Sequence, residues 1–198
     1  MTIRTARAED VDVIAALHGT CIPEGFLVSL GPRFLRRLYA RAVRSGRVDV
    51  LIAEGTDAAD GAAGPLGFVA VADDVAGFYR EFLLRDGLLA AGAAAVGILR
   101  APRRVFETWR YGGRGAHRDP AAEILALAVA PAARGRSLGP ALASAGVARA
   151  AARGVSRMRV LTAVGNEAAA RAYGRAGLRR VGRDTVHRGI EQDVFEWP

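Results

Sequence analysis

Between Glu123 and Gly139 the chain reads EILALAVAPAARGRSLG, and few folds accommodate that order of residues. An apolar run, Ile124 to Val129, stops at Pro131. A short basic loop follows, Arg134-Gly135-Arg136-Ser137-Leu138-Gly139, and an alanine-rich helical pattern begins at Pro140. The order predicts a strand, a tight loop and a helix N-terminus. A helix start leaves up to four backbone N–H groups without helical partners and carries a partial positive charge. Glycines allow close backbone approach, and arginines add charge. Such a loop suits an anion, best a phosphate or pyrophosphate.

A second block lies after another candidate strand, Met158 to Val164: Asn166-Glu-Ala-Ala169-Ala-Arg-Ala-Tyr173-Gly-Arg-Ala-Gly177-Leu178. Taken together, the two blocks resemble the GNAT superfamily of acetyl-CoA-dependent N-acetyltransferases. That family carries a strand, R/Q-x-x-G-x-G/A and a helix, and later N-x-x-A-x-x-x-Y-x-x-x-G-F. The resemblance covers about Glu123 to Leu178, with Leu178 in place of the aromatic residue. It implies an α/β (α+β) GNAT fold: a mixed, mostly antiparallel twisted sheet of six to seven strands with helices on both faces. The strands before Pro131 and Asn166 should run parallel and splay apart.

Composition narrows the alternatives. With 198 residues, 51% of them hydrophobic, one core-forming domain spanning 1–198 is expected. The single cysteine excludes an intrachain disulfide and a cysteine-based zinc site. No His/Cys/carboxylate cluster has metal-ligand spacing, so no metal is expected. The opening MTIRTARAEDVDV has no apolar core of the kind a signal peptide needs, and a cytoplasmic protein is expected. The net charge is +8 and every one of the 28 basic residues is arginine. These arginines are spread along the chain rather than gathered in a stripe, which argues against nucleic acid. An anionic cofactor accounts for part of the charge.

Read in order, Thr2 to Arg7 is a short strand, and Val11, Ile14, Ala15 and Leu17 form a helical stripe after Glu9 and Asp10. His18 to Gly31 is punctuated by glycine and proline and should contain a loop, with Cys21 a small buried side chain and His18 a surface or capping residue, a base being the alternative. Pro32 to Ser45 is a helix, and Val48 to Ala53 and Leu66 to Ala72 are strands of a hairpin joined by a flexible turn, Gly55 to Gly64. The stretch of about 75–111 reads as a helical insertion between the third and fourth strands, broken near Gly87 and Pro102. Its segment Leu88 to Leu99 is nearly all apolar and too short to span a bilayer; it could form an extra layer, a dimer contact or a membrane-surface helix. A loop from Tyr111 to Pro120 leads to the central strand, with His117 in solvent. Arg180 to Arg188 and Ile190 to Trp197 are the closing strands.

The resemblance assigns roles residue by residue. The edge of Leu127, Ala128 and Val129 pairs with the pantetheine arm of coenzyme A. The loop Arg134, Gly135, Arg136, Ser137, Leu138 and Gly139 faces its pyrophosphate, and Asn166 touches the arm or caps its helix. Ser137 stands where the motif has glycine, and Pro140 removes one N–H. Tyr173 is the candidate acid for the departing thiolate. Glu123, on the central strand, is the candidate base for the amine. Phe26, Leu27 and Ser29 are candidates for the acceptor wall. The implied activity is direct acetyl transfer from acetyl-CoA to a primary amine of a small molecule, an amino sugar among the options, by a monomer or homodimer. Two other classes fit the residues: a non-catalytic acyl-CoA-binding module and a peripheral membrane protein.

Overall fold

The computed structural model describes residues 1–23, 25–56, 63–100, 122–186 and 190–198. Their strands form a seven-stranded sheet ordered β1-β2-β3-β4-β5-β7-β6. In chain order β1 is Thr2–Thr5, β2 Val48–Thr56, β3 Ala63–Ala72, β4 Ala122–Val129, β5 Met158–Ala163, β6 Arg179–Val186 and β7 Ile190–Trp197. Every neighbouring pair is antiparallel except β4 with β5. The helices are α1 (Val11–Cys21), α2 (Phe26–Ser29), α3 (Pro32–Ala42), α4 (Val75–Arg100), α5 (Leu138–Ala152) and α6 (Glu167–Arg175). The mixed, mostly antiparallel sheet and the insertion between the third and fourth strands agree with the sequence reading.

Two apolar cores lie on opposite faces of the sheet. One joins α1, α3 and α4 to the sheet through Ile14, Leu35, Tyr39, Phe68, Phe78 and Phe82. The other joins α5 and α6 through Leu138, Leu142, Val147, Tyr173 and Leu178, with Met158, Val160 and Phe195 from the strands. Burying each large side chain of this kind stabilises by about 1.5–3 kcal/mol. Two glycines set the spacing. A Cβ at Gly67 on β3 would lie 2.6 Å from the Ala128 carbonyl oxygen, and one at Gly146 on α5 would lie 2.9 Å from Val71 Cγ2. Glycine at both positions lets β3 approach β4 and lets α5 lie close on β3.

Local details depart from the sequence reading in two places. His18 to Gly31 does contain non-helical residues, at Ile22 and Pro23, with α1 running on to Cys21 and α2 adding a helical turn at Phe26–Ser29. His18 is buried rather than exposed, because its helix face turns onto Phe68. The insertion is unbroken at Gly87, inside the 26 residues of α4; a glycine weakens a helix by only about 1 kcal/mol and does not stop it. The proposed break at Pro102, the loop from Tyr111 to Pro120 and His117 all lie outside the described residues. Leu84 and Leu88 on α4 face outward, and among the described residues no helix is long and apolar enough to cross a membrane.

Candidate active site

The site starts from the two parallel strands. β4 and β5 pair only at Ala122 with Met158 and Glu123 with Arg159, and then part. From Ile124 onward β4 has lost its neighbour on that side. Its other edge stays paired with β3, with one irregularity: Ala70 faces Ala126 but Val71 faces Ile124, so Leu125 is an extra residue in β4. The bulge swaps the faces of the strand. Ala122 and Ile124 belong to the α5–α6 core, whereas Ala126 and Ala128 belong to the α1–α3–α4 core. Bulges of this kind increase local twist and help strands diverge.

The backbone direction follows from the ladder. The Ala130 N–H donates to the Leu66 carbonyl at 2.8 Å. Antiparallel pairs alternate in hydrogen bonding, so Ala128 and Ala126 direct their backbone groups at β3 while Leu127 and Val129 direct theirs at the open side. The Val129 carbonyl accordingly accepts long contacts, 3.4 Å each, from Cys21 Sγ and Arg134 Nε. The open edge thus offers Leu127 and Val129 to an extended ligand rich in amides. Ala128 directs its backbone to β3 and buries its methyl in the α1–α3–α4 core.

At the mouth of the opening the chain turns through Pro131–Ala133 into α5. Gly135 (φ 79°) and Ser137 (φ 58°) both hold left-handed backbone. For serine that conformation costs about 1–2 kcal/mol, so the loop shape persists although the glycine does not. Ser137 caps α5 without a side-chain hydrogen bond, and Leu138 and Gly139 open the helix. Pro140 falls in the first turn, where its missing N–H has no helical acceptor to lose. Gly139 lies against Ala172, where a Cβ would stand 3.5 Å from the alanine methyl. On the other lip, Asn166 caps α6, its Oδ1 accepting from the Ala169 N–H at 3.1 Å. This arrangement fits a chain-like ligand ending in phosphates. The start of α5, Arg134 on the Val129 carbonyl and an open strand edge border one opening, and Arg136 lies in the loop between Arg134 and α5.

The two titratable candidates sit on opposite faces. Glu123 lies between Ala122 and Ile124, so strand alternation turns it away from the α5–α6 core and toward α4. Its Oε2 accepts from Arg159 Nε at 2.8 Å. Burial raises its pKa above the usual carboxylate range, and the Arg159 cation opposes that rise. Tyr79, from α4, is pushed up to about 12, by burial first and by the Glu123 charge second. Tyr173 is 6% exposed and packs against Phe195 at 5.8 Å between ring centroids. Burial pushes its phenol up to about 12, so it is protonated at physiological pH.

The other wall comes from α1, α2 and α3. His18 Nδ1 and the Tyr39 hydroxyl are 2.6 Å apart, with the imidazole stacked over Phe68. Desolvation lowers the His18 pKa to about 4, so the ring is neutral. Phe26, Leu27 and Ser29 all fall in α2; Leu27 packs on the same core, and the Ser29 hydroxyl donates to the Phe26 carbonyl at 2.6 Å. Sequence reasoning missed Arg159; it weighed His18 as a base but favoured a surface or capping role, and it read Cys21 as a small buried side chain. The signal for Arg159 was a charge inside an apolar strand, but only the parallel register sets it beside Glu123. Among the described residues no group of His, Cys, Asp or Glu could hold a metal.

Comparison with known proteins accounts for this geometry. A model of the acetyltransferase (GNAT) family matches residues 45–178, well over half of the chain. The chain belongs to the GNAT acetyltransferase family. No curated protein matches the sequence significantly. Solved GNAT structures share the fold at low identity. A ribosomal-protein-alanine N-acetyltransferase from Brucella melitensis superposes with TM-score 0.64 at 15% identity, covering 99% of this chain and 98% of its own. A phosphinothricin acetyltransferase from Sinorhizobium meliloti, crystallised with acetyl-CoA, superposes with TM-score 0.62 at 15% identity, covering 100% and 87%. The aminoglycoside acetyltransferase AAC(6')-Ib, in complex with coenzyme A and kanamycin, superposes with TM-score 0.58 at 16% identity, covering 98% and 92%.

Proposed function

We propose that this GNAT protein uses acetyl-CoA to acetylate a primary amine on a small molecule, with both substrates held at once and the amine attacking directly. The observation that carries this reading is the parting of β4 from β5 after two paired residues, which leaves a strand edge open beside the start of α5. Bound acetyl-CoA would supply an activated acetyl group. Leu127 and Val129 would hold its amides along the open edge, and one of their N–H groups would face the thioester oxygen. Gly135, Ser137, Leu138 and Gly139 would offer N–H groups to the pyrophosphate, with Arg134 and Arg136 adding charge. Asn166 would border the arm from the other lip. Phe26, Leu27 and Ser29 would line the acceptor side.

Two residues would handle protons. Glu123 takes one from the amine, directly or through water; its raised proton affinity suits a base near neutral pH. Tyr173 donates a hydrogen bond to the departing sulfur. Burial raises the proton affinity of a thiolate in the same site as well, so the protonated phenol can serve as its acid or as its hydrogen-bond donor. A second reading, a module that binds acyl-CoA without turnover, is favoured by Ser137, whose side chain stands in the phosphate loop.

The test is thiol release from acetyl-CoA with kanamycin, phosphinothricin and an alanine-initiated peptide as amines, followed by two-substrate kinetics on the best of them. Amine-dependent release with intersecting initial-rate lines is expected. Parallel lines with an isolable acetyl-enzyme would overturn direct attack. Acetyl-CoA binding without release from any amine would establish the second reading, and absence of both would end the cofactor assignment.

A further inference from the structure

The rung at which β4 and β5 stop pairing is Glu123 opposite Arg159, and their side chains meet there. Both are largely withdrawn from solvent, the arginine side chain 13% exposed and the glutamate 19%. We propose that Arg159 is a positioning residue for the transfer reaction: its guanidinium engages Glu123 Oε2 and leaves Oε1 to receive the proton of the acceptor amine. The inference rests on the reading of Glu123 as the base.

The surroundings make the pair necessary. A carboxylate removed from water without a counter-charge is protonated at neutral pH and cannot act as a base. Each element around Glu123 contributes differently. From α4, Tyr79 presents a neutral phenol. From β3, Ala72 stands across the ladder and offers no charge. From β7, Glu196 stands opposite Arg159 in register and is itself bridged by Arg157 at 3.3 Å. Arg159 is thus the cation that opposes protonation of Glu123, and it does so through Nε at 2.8 Å. Placing this contact on the last paired rung fixes the carboxylate to the sheet just where the cleft opens. Glu123 stands four residues before Leu127, on the same strand that presents the open edge.

The experiment measures the pH profile of kcat for thiol release from acetyl-CoA, with water as acceptor and with the fastest amine of the panel above. Three substitutions are compared: Arg159→Gln, Arg159→Met and Arg159→Lys. Thermal unfolding with and without acetyl-CoA reports whether each folds and binds cofactor. Loss of the cation should move the acidic limb upward by roughly one to three pH units in the Gln and Met variants. Their rate at pH 7 should fall about tenfold or more and return at high pH, with KM for acetyl-CoA within about threefold of wild type. Arg159→Lys keeps the charge and should hold the limb within about half a unit.

An unmoved limb in the neutral variants, with a lower melting temperature or a raised KM for acetyl-CoA, makes the pair a structural staple and overturns the proposal. So does failure of both neutral variants to fold. Glu123→Gln separates the two levels of the argument. A wild-type rate in that variant overturns the base assignment itself, whereas a slow Glu123→Gln with an unmoved Arg159→Gln profile overturns only the role of Arg159.

Discussion

The two ends of the β4–β5 pair are built from opposite rules. At the closed end, Ala122 and Glu123 are in register with Met158 and Arg159, and an ion pair ties the last rung. At the open end, Leu127 and Val129 turn their backbone groups to a side where no strand pairs with them among the described residues, and the loop beyond them holds a serine in left-handed backbone. The closed end satisfies its polar groups internally. The open end gives the Val129 carbonyl only side-chain partners, Cys21 and Arg134, and a fold tolerates a strand edge of this kind only where side chains, water or a ligand complete the bonding. The difference teaches that this site is made by withholding sheet pairing, with the closed end as the anchor that makes the withholding stable.

The most damaging way to break that contrast is to disturb the edge of β4 that must stay paired. Gly67→Val places a Cβ against the Ala128 carbonyl, an atom that cannot move without breaking the ladder. A loss of roughly 3 kcal/mol or more is expected in denaturant unfolding, and an unchanged midpoint would mean that β3 is free to shift. Gly139→Glu acts on the open end alone. Its Cβ fits against Ala172, and a carboxylate at a helix start is intrinsically favourable, so the free protein should melt as before. Acetyl-CoA at 100 times its wild-type Kd should stabilise the wild type by about 2.7 kcal/mol and this variant not at all.

The wall beside the open end gives a pH signature. His18 has a folded pKa of about 4 against 6.5 when unfolded, so the unfolded chain binds the extra proton between those values. This contribution is complete above pH 6.5 and falls as pH drops through 4, by about 3 kcal/mol in all. His18→Gln should flatten that part of the stability–pH curve, measured by unfolding at stepped pH. A curve as steep as wild type would assign the acid sensitivity to other groups. The smallest expected change is Tyr173→Phe. No hydroxyl partner exists among the described residues, so stability should hold and the acetyl-CoA shift persist. The rate of thiol release should fall roughly ten- to a hundredfold, the value of one hydrogen bond to a charged acceptor. An unchanged rate would remove Tyr173 from the chemistry.

Much of this was legible in the residues, for local reasons. The run Ile124 to Val129, the stop at Pro131 and the helix after Ser137 are consequences of hydrophobic patterning, proline and glycine, which act over a few residues. Asn166 announced its cap by type and position. The unbroken α4 was misjudged because tertiary packing of Phe78 and Phe82 outweighs a glycine's local cost. The burial of His18 was missed because nothing near it in sequence signals Phe68, fifty residues later.

By itself, then, the sequence determined the order of elements, the glycine- and arginine-containing loop before α5 and the family. Those properties are written in short-range spacing and in backbone preferences of individual residues. The tertiary structure decided which edge of β4 stays open, that Leu125 is an extra residue, that Ala128 bonds to β3 while Leu127 and Val129 do not, and that Glu123 meets Arg159. Each of these depends on register between strands that are far apart in the chain. Register is set by the packing of two cores at once, and no local stretch of residues carries that information.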